Sequence, residues 1–444
     1  MPDSAPPSKP LRLAPVIQAT SAPRTPKPPP VTGPWRWRML LAAAHRLGFF
    51  LAMLVLAMAS GWWLAVQAGR ALGWMALDGA VGVPPLLMHG TVMVFGFMPL
   101  FFSGFLFTAG PRWLNVPPLN APRLLPPLAL QAAGWLVWLA GAYVSLALAL
   151  AGLALACAGL AWMLALFWRL IAASRQPDRV HAMAVGLGGI VGALCLAGVG
   201  VTLWSGQYAL ALALVRTGLW GFIAVTFMAV AHRMIPFFTS GVLPMIQVWR
   251  PFWVLWLMLG VAVFEALAVW VDQAAPPGNA WTLAAAAVEA LAGGVLLWLA
   301  VVWGLVQSLK IRLLAMLHVG FVWLALALLY GAASRTLALL TGQALLGLGA
   351  MHALSMGFLG SIMVAMVTRV SCGHSGRSLV ADDLVWALFW LLQAAVVVRL
   401  LAAVQGMPLW LTAAAALLWT TAIVVWAVRY ANWYGRPRID GNPG

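Results

Sequence analysis

The amino-acid sequence predicts an all-α, polytopic integral membrane protein with about twelve transmembrane helices and both termini in the cytoplasm. Three observations predict it. Of 444 residues, 64% are hydrophobic and only 8% charged, with a mean hydropathy of +0.97. Soluble domains carry roughly 25% charged residues, so a water-soluble core is excluded. Apolar stretches of ~20 residues, each long enough to cross ~30 Å of hydrocarbon, recur from Met39 onward. Finally, Lys and Arg crowd into every second connection, as the positive-inside rule requires of a regular up-and-down chain.

Residues 1–35 differ from the rest. They hold eleven prolines, with Lys9, Arg12, Arg24 and Lys27, and no apolar run that would make a signal-peptide core. Such a segment cannot offset its ordering entropy and is expected to be a disordered cytoplasmic tail. The membrane domain follows over 36–434, and a short cytoplasmic tail over 435–444. Its first span, 39–64, carries His45 and ends at Trp62 and Trp63, which read as interfacial aromatics together with Trp113, Trp249 and Trp253. The second, 84–109, starts behind Pro84 and carries His89. The third and fourth are 124–143 and 145–168. The fifth, 181–203, contains a Gly- and Ala-rich run over Gly186–Gly198 that permits close helix contact. The sixth, 210–231, is expected to stop at His232 and Arg233, ahead of Pro236. The seventh and eighth, 251–270 and 281–307, place Glu265 and Glu289 in their outer halves, where pairing with outer arginines is the expectation. The ninth, 313–330, carries His318, the tenth, 343–367, His352, and the eleventh, 384–404, Arg399. The twelfth spans 408–428.

The net charge of +16 is topological. Twenty of the 25 basic residues lie in the tail, the even-numbered loops and the C-terminus, and Arg46 just inside the first helix joins them. No basic domain is left to bind nucleic acid. Only Arg70, Arg216, Arg335 and Arg399 fall on the outer side. Arg216 and Arg399 either snorkel to the headgroups or partner an anionic group held in the outer half of the bundle. Three cysteines, none in a CxxC pair, supply no disulfide framework.

Histidines within a membrane are functional candidates by default. Helical rise sets His89 ~8 Å and His352 ~13 Å from the outer side, with His45 and His318 ~8–10 Å from the inner side. The outer two share a pattern: MHGTVM around His89 and MHALSM around His352, each with a Met four residues later, Met93 and Met356. That spacing sets each His and Met on one helix face. Imidazole suits haem iron, copper and zinc, and thioether sulfur suits copper(I). Two helices running the same way, each with a histidine at similar depth, can hold a flat macrocycle by axial ligation. One histidine alone is as well explained by a hydrogen bond to a neighbouring helix; the matched pair favours a cofactor.

Four segments, Met88–Trp113, His232–Gly241, Leu317–Leu326 and Ala350–Arg377, resemble the signature blocks of the NnrS family, in the family's order. The resemblance implies a twelve-helix bacterial inner-membrane protein containing haem and copper and tied to nitric oxide, denitrification and nitrosative stress. By it, His89, His318 and His352 are the family's membrane histidines. The chain departs at the start of the second helix, where the family's WHAHEM reads MHGTVM. Thr91 stands in place of a second histidine and Val92 in place of the acid, so a metal site built on that second histidine lacks it here. A weaker resemblance to subunit I of the haem–copper oxidases also sets a haem between helices 2 and 10, with Arg399 near its propionates. The residues of that superfamily's binuclear centre are missing.

The resulting expectation is haem b between His89 and His352, with Met93, Met356, Arg399 and Arg216 around it. A lower site at His318 and His45 would take copper, a second haem or a quinone-side group. Membrane lipid is the certain partner, and nitric oxide or an electron-transfer partner the implied one. The rival reading is a cofactor-free transporter or permease whose histidines line a substrate path. The scarcity of intramembrane acids argues against it.

Overall fold

The structure is a computed structural model describing residues 33–74, 77–79, 82–274 and 278–442. The disordered tail expected before residue 36 lies outside the described residues up to residue 32. Among the described residues twelve helices are long and apolar enough to cross a membrane: α1 (Ala44–Ala71), α2 (Pro85–Leu114), α3 (Ala121–Gly141), α4 (Leu146–Ala173), α5 (Val180–Trp204), α6 (Tyr208–Val242), α7 (Phe252–Ala274), α8 (Asn279–Val302), α9 (Arg312–Thr341), α10 (Gly349–His374), α11 (Asp383–Leu401) and α12 (Trp410–Tyr434). No strand occurs among them. The protein is a multi-pass membrane protein, with lipid against its apolar outer faces.

Local chemistry sets the helix ends. Ser145 caps α4 by accepting from Leu148 N at 3.2 Å, and Asp382 caps α11 by accepting from Val385 N at 3.1 Å. Pro85 opens α2, where its missing N–H costs nothing. Gly342 ends α9 with φ at +69°, a conformation that favours glycine.

Several helices outrun the hydropathy that marks them. Helix α9 continues eleven residues past the expected end, because Arg335 is not a terminus but pairs with Glu289 and Asp272. Helix α6 does not stop at His232. It runs through Pro236 to Val242, and His232 is fully buried. At 35 residues it is ~50 Å long by helical rise, well beyond a ~30 Å hydrocarbon layer. Helix α1 starts at Ala44, behind a short 3-10 turn over Trp37–Ala42, so His45 sits in its first turn and not near the end of its second. Helix α10 starts at Gly349, which puts His352 in the first turn as well.

Three of the helices are irregular. Helix α2 breaks between Phe95 and Met98, ahead of Pro99. Helix α6 widens to π geometry over Leu219–Ala224, and α10 does so over Ala353–Gly360. Such widenings gather at functional sites; one begins three residues after Arg216 and the other directly after His352.

The first and last described segments meet on one face, here the terminal face. Arg36 N donates to Gly435 O at 2.7 Å, and Ile439 N to Ser375 O at 3.1 Å, so residues 435–442 fold back over the bundle. Arg46, 2% exposed, donates from Nη1 to Tyr434 O at 3.1 Å and Arg436 O at 2.8 Å. It thus clamps the end of α12, where a cation complements the exposed carbonyls. Hydrogen bonds to charged groups are worth roughly 1.5–3 kcal/mol. Arg46→Ala is therefore expected to lower the melting temperature in detergent and to speed proteolysis after Tyr434, with Arg46→Lys intermediate.

Candidate functional site

Away from the terminal face, α1, α2, α6, α10, α11 and α12 surround a cavity of about 170 Å³. Its wall holds His89 and Met93 from α2, Arg216 from α6, His352 and Met356 from α10, and Arg399 from α11. All six residues expected around the haem therefore meet in one space. Leu212, Val215, Leu219, Ile223 and Leu359 make most of the remaining wall apolar.

His352 is the better fixed of the two histidines. Its Nδ1 lies 2.9 Å from Leu348 O. A carbonyl only accepts, so Nδ1 carries the hydrogen and Nε2 of the neutral ring keeps its lone pair. A backbone carbonyl on the far nitrogen is the usual way a metal-binding imidazole is oriented. The start of the π segment at Ala353 lies just past this contact. His89 is held differently. Its ring stacks on Trp63, centroids 4.0 Å apart and planes 15° from parallel, and its Nδ1 is buried with no partner.

The four outer arginines divide into two kinds. Arg70 pairs with Asp78, whose carboxyl this contact holds below its ordinary range, and Arg335 pairs with Glu289 and Asp272. Arg216 and Arg399 form no ion pair among the described residues, and Nη1 of Arg399 is buried without a hydrogen-bond acceptor. Both unpaired cations face the cavity. A guanidinium in an apolar wall is costly unless an anion joins it, which makes the cavity suited to a ligand with negative groups.

The inner histidines are given separate partners. His318 Nε2 lies 3.0 Å from Thr239 Oγ1, and that hydroxyl spends its hydrogen on Ile235 O at 2.9 Å. His318 therefore donates from Nε2, leaving a buried, unpartnered Nδ1. His45 instead faces His374, centroids 4.5 Å apart. Among the described residues no three His, Cys, Asp or Glu side chains gather as a metal site.

Sequence reasoning missed two features. Trp63 is a cavity wall and not an interfacial anchor; the signal was the polar stripe Ser60, Trp63, Gln67 at helical spacing on α1, all three facing the cavity. His181 and His232, expected at helix ends, are buried and hydrogen-bonded at 3.0 Å, with His232 Nε2 donating to Pro251 O at 3.1 Å. Nothing in the spacing of two histidines 51 residues apart announces that contact.

The family model described as NnrS protein matches residues 39–438, nearly the whole chain. The chain belongs to the NnrS family. No curated protein matches it. In this NnrS chain Thr91, at the position where the resemblance sets a second histidine, is fully buried and donates to Leu87 O at 2.7 Å. Its hydroxyl is spent within its own helix and does not line the cavity. The cavity's two histidines thus come from α2 and α10, one each.

Proposed function

We propose that this NnrS chain binds haem b in the cavity, with His89 and His352 as axial ligands and Arg399 and Arg216 beside the haem's carboxylates. We further propose that it acts in the response to nitric oxide and nitrosative stress, in a bacterial inner membrane with the terminal face cytoplasmic. The observation that carries the haem reading is the donor set. Two histidines with ring nitrogens free of protein partners share one apolar space with the two outer arginines that lack carboxylates. The residues fit the group in chemistry. In volume they must yield, since about 170 Å³ is close to a void that takes a single benzene ring. Met93 and Met356, unbranched and adaptable, stand where room is needed.

When bound, the haem would supply a one-electron centre, and its iron would meet a diatomic ligand only where one histidine gives way, His89 being the less firmly held. The chain's own residues orient it: Leu348 O turns His352, Trp63 supports the face of His89, and the apolar wall excludes water. The orientation rests on the charges, since among the described residues the terminal face carries every Lys and Arg but Arg70, Arg216, Arg335 and Arg399. Copper, which the resemblance implies, is left out of the proposal because His45 and His318 have different neighbours.

The test is a reduced-minus-oxidised spectrum of the full chain purified from cells supplied with haem precursor. Soret and α bands are expected, with a shift on adding nitric oxide that requires His89 to leave the iron. A folded protein without bands would overturn the haem reading and favour a cavity serving as a substrate path.

A further inference from the structure

A second chamber, about 260 Å³, adjoins the first and shares Arg216, Leu219, Leu348 and Met351 with it. Unlike the first, it is lined by acids: Glu265 from α7 and Glu289 from α8, with Ser334 and Arg335 from α9. We propose that Glu265 and Glu289 form a proton-binding site, holding one shared proton at the wall of this chamber and facing the ligand cavity across Arg216.

Three observations support it. Glu289 Oε1 accepts from Arg335 Nε at 2.8 Å and is therefore the ionised partner. Arg335 is completed by Asp272 at 3.1 Å, itself accepting from Trp281 Nε1 at 2.8 Å. Glu265 and Glu289 stand on the same wall of this chamber and are both buried, and two buried carboxyl groups that share one site avoid a double charge only when one keeps its hydrogen. Glu265 Oε1 and Glu289 Oε2 are both buried and reached by no N–H or hydroxyl among the described residues. The charges agree. Glu289 and Asp272 already share Arg335, so a bare Glu265 would be an unpaired buried charge.

The backbone has also made room for this pair. A Cβ at Gly331 of α9 would stand 2.8 Å from Glu289 Oε2, so the carboxylate occupies the place of a side chain. Arg335 already fills the cation's position on Glu289, which favours a proton over a metal ion. Across the shared wall stand His352 on α10 and Arg399 on α11, so the charge of the pair is felt where a ligand would bind. Proton occupancy and anion binding at Arg216 are then linked, each altering the other by the same factor.

The site is read from the chain's own charges and does not require haem. Infrared spectra of the full-length protein in lipid nanodiscs, taken across pH and in deuterium oxide, test it. The expected result is a protonated-carboxyl band at neutral pH that shifts on deuteration, is lost in Glu265→Gln and returns displaced in Glu265→Asp. In Arg335→Gln the band should survive to higher pH, because the cation that favours the ionised pair is gone. No protonated band in the folded protein, or one unmoved by Glu265→Gln, overturns the proposal. A band present in choline and abolished by sodium would assign the site to a metal ion instead. Neither result depends on Soret bands, so this failure and that of the haem reading are distinguishable.

Discussion

Replacement of His352 by alanine is expected to abolish the haem spectrum, and replacement of His89 to weaken and alter it. The difference follows from how the rings are held. His352 has its hydrogen committed to Leu348 O at 2.9 Å, so its Nε2 lone pair is turned to the cavity before any ligand arrives. His89 is steadied only by its stack on Trp63. Partners that merely orient a metal-binding histidine are worth about 10–100-fold in affinity, and loss of the histidine itself should exceed that. Haem content per purified chain and the position of the α band, measured on matched samples, check both statements. His318→Ala is the control, since His318 is bonded to Thr239 away from the cavity and should leave the bands in place. Bands unchanged in both His89→Ala and His352→Ala would mean that haem binds elsewhere.

The largest structural effect is expected where α3 crosses α4. A Cβ at Gly134 would stand 2.5 Å from Ala156 N and 2.6 Å from Gly152 O, and one at Gly152 would stand 2.5 Å from Trp138 N. The obstacles are backbone atoms, which cannot turn aside as a side chain would. Small residues are how membrane helices come this close, with packing replacing the hydrophobic drive that lipid removes. Overpacking costs about 1–3 kcal/mol where neighbours can yield, so Gly134→Ala and Gly152→Ala should each reach the upper part of that range. The double variant should cost less than the sum, because the two positions share one contact. Thermal unfolding in detergent measures this. Gly260→Ala and Gly294→Ala, with no atom within 4 Å of the added carbon, should melt like the wild type.

Much of the architecture was legible because a membrane imposes it. With no water to satisfy exposed backbone, each crossing must be a helix, and its length and charge-free composition are written contiguously in the chain. The candidate site was partly legible for a related reason. Polar side chains are so rare in these spans that His89, His352, Arg216 and Arg399 stood out one by one, and the repeated Met-His pattern tied two of them together. Trp63 was not legible, because a tryptophan near a helix end is equally at home at the headgroups. Helix α9 was read too short, ending at 330; Arg335 lies within it, and its partner Glu289 is 46 residues away in sequence.

What the sequence determined alone is everything that depends on composition along one helix: twelve apolar spans, their alternation, and the candidate polar residues. What the tertiary structure decided is which of those residues share a space. It set Arg216 and Arg399 without carboxylates beside His89 and His352, paired Arg70 and Arg335 elsewhere, and joined His181 to His232. The physical reason is that hydropathy is a property of each segment taken singly. Contact between helices is settled by glycine crossings, π-helical widenings and the rotation of each helix about its axis, and these distribute partners without regard to separation along the chain.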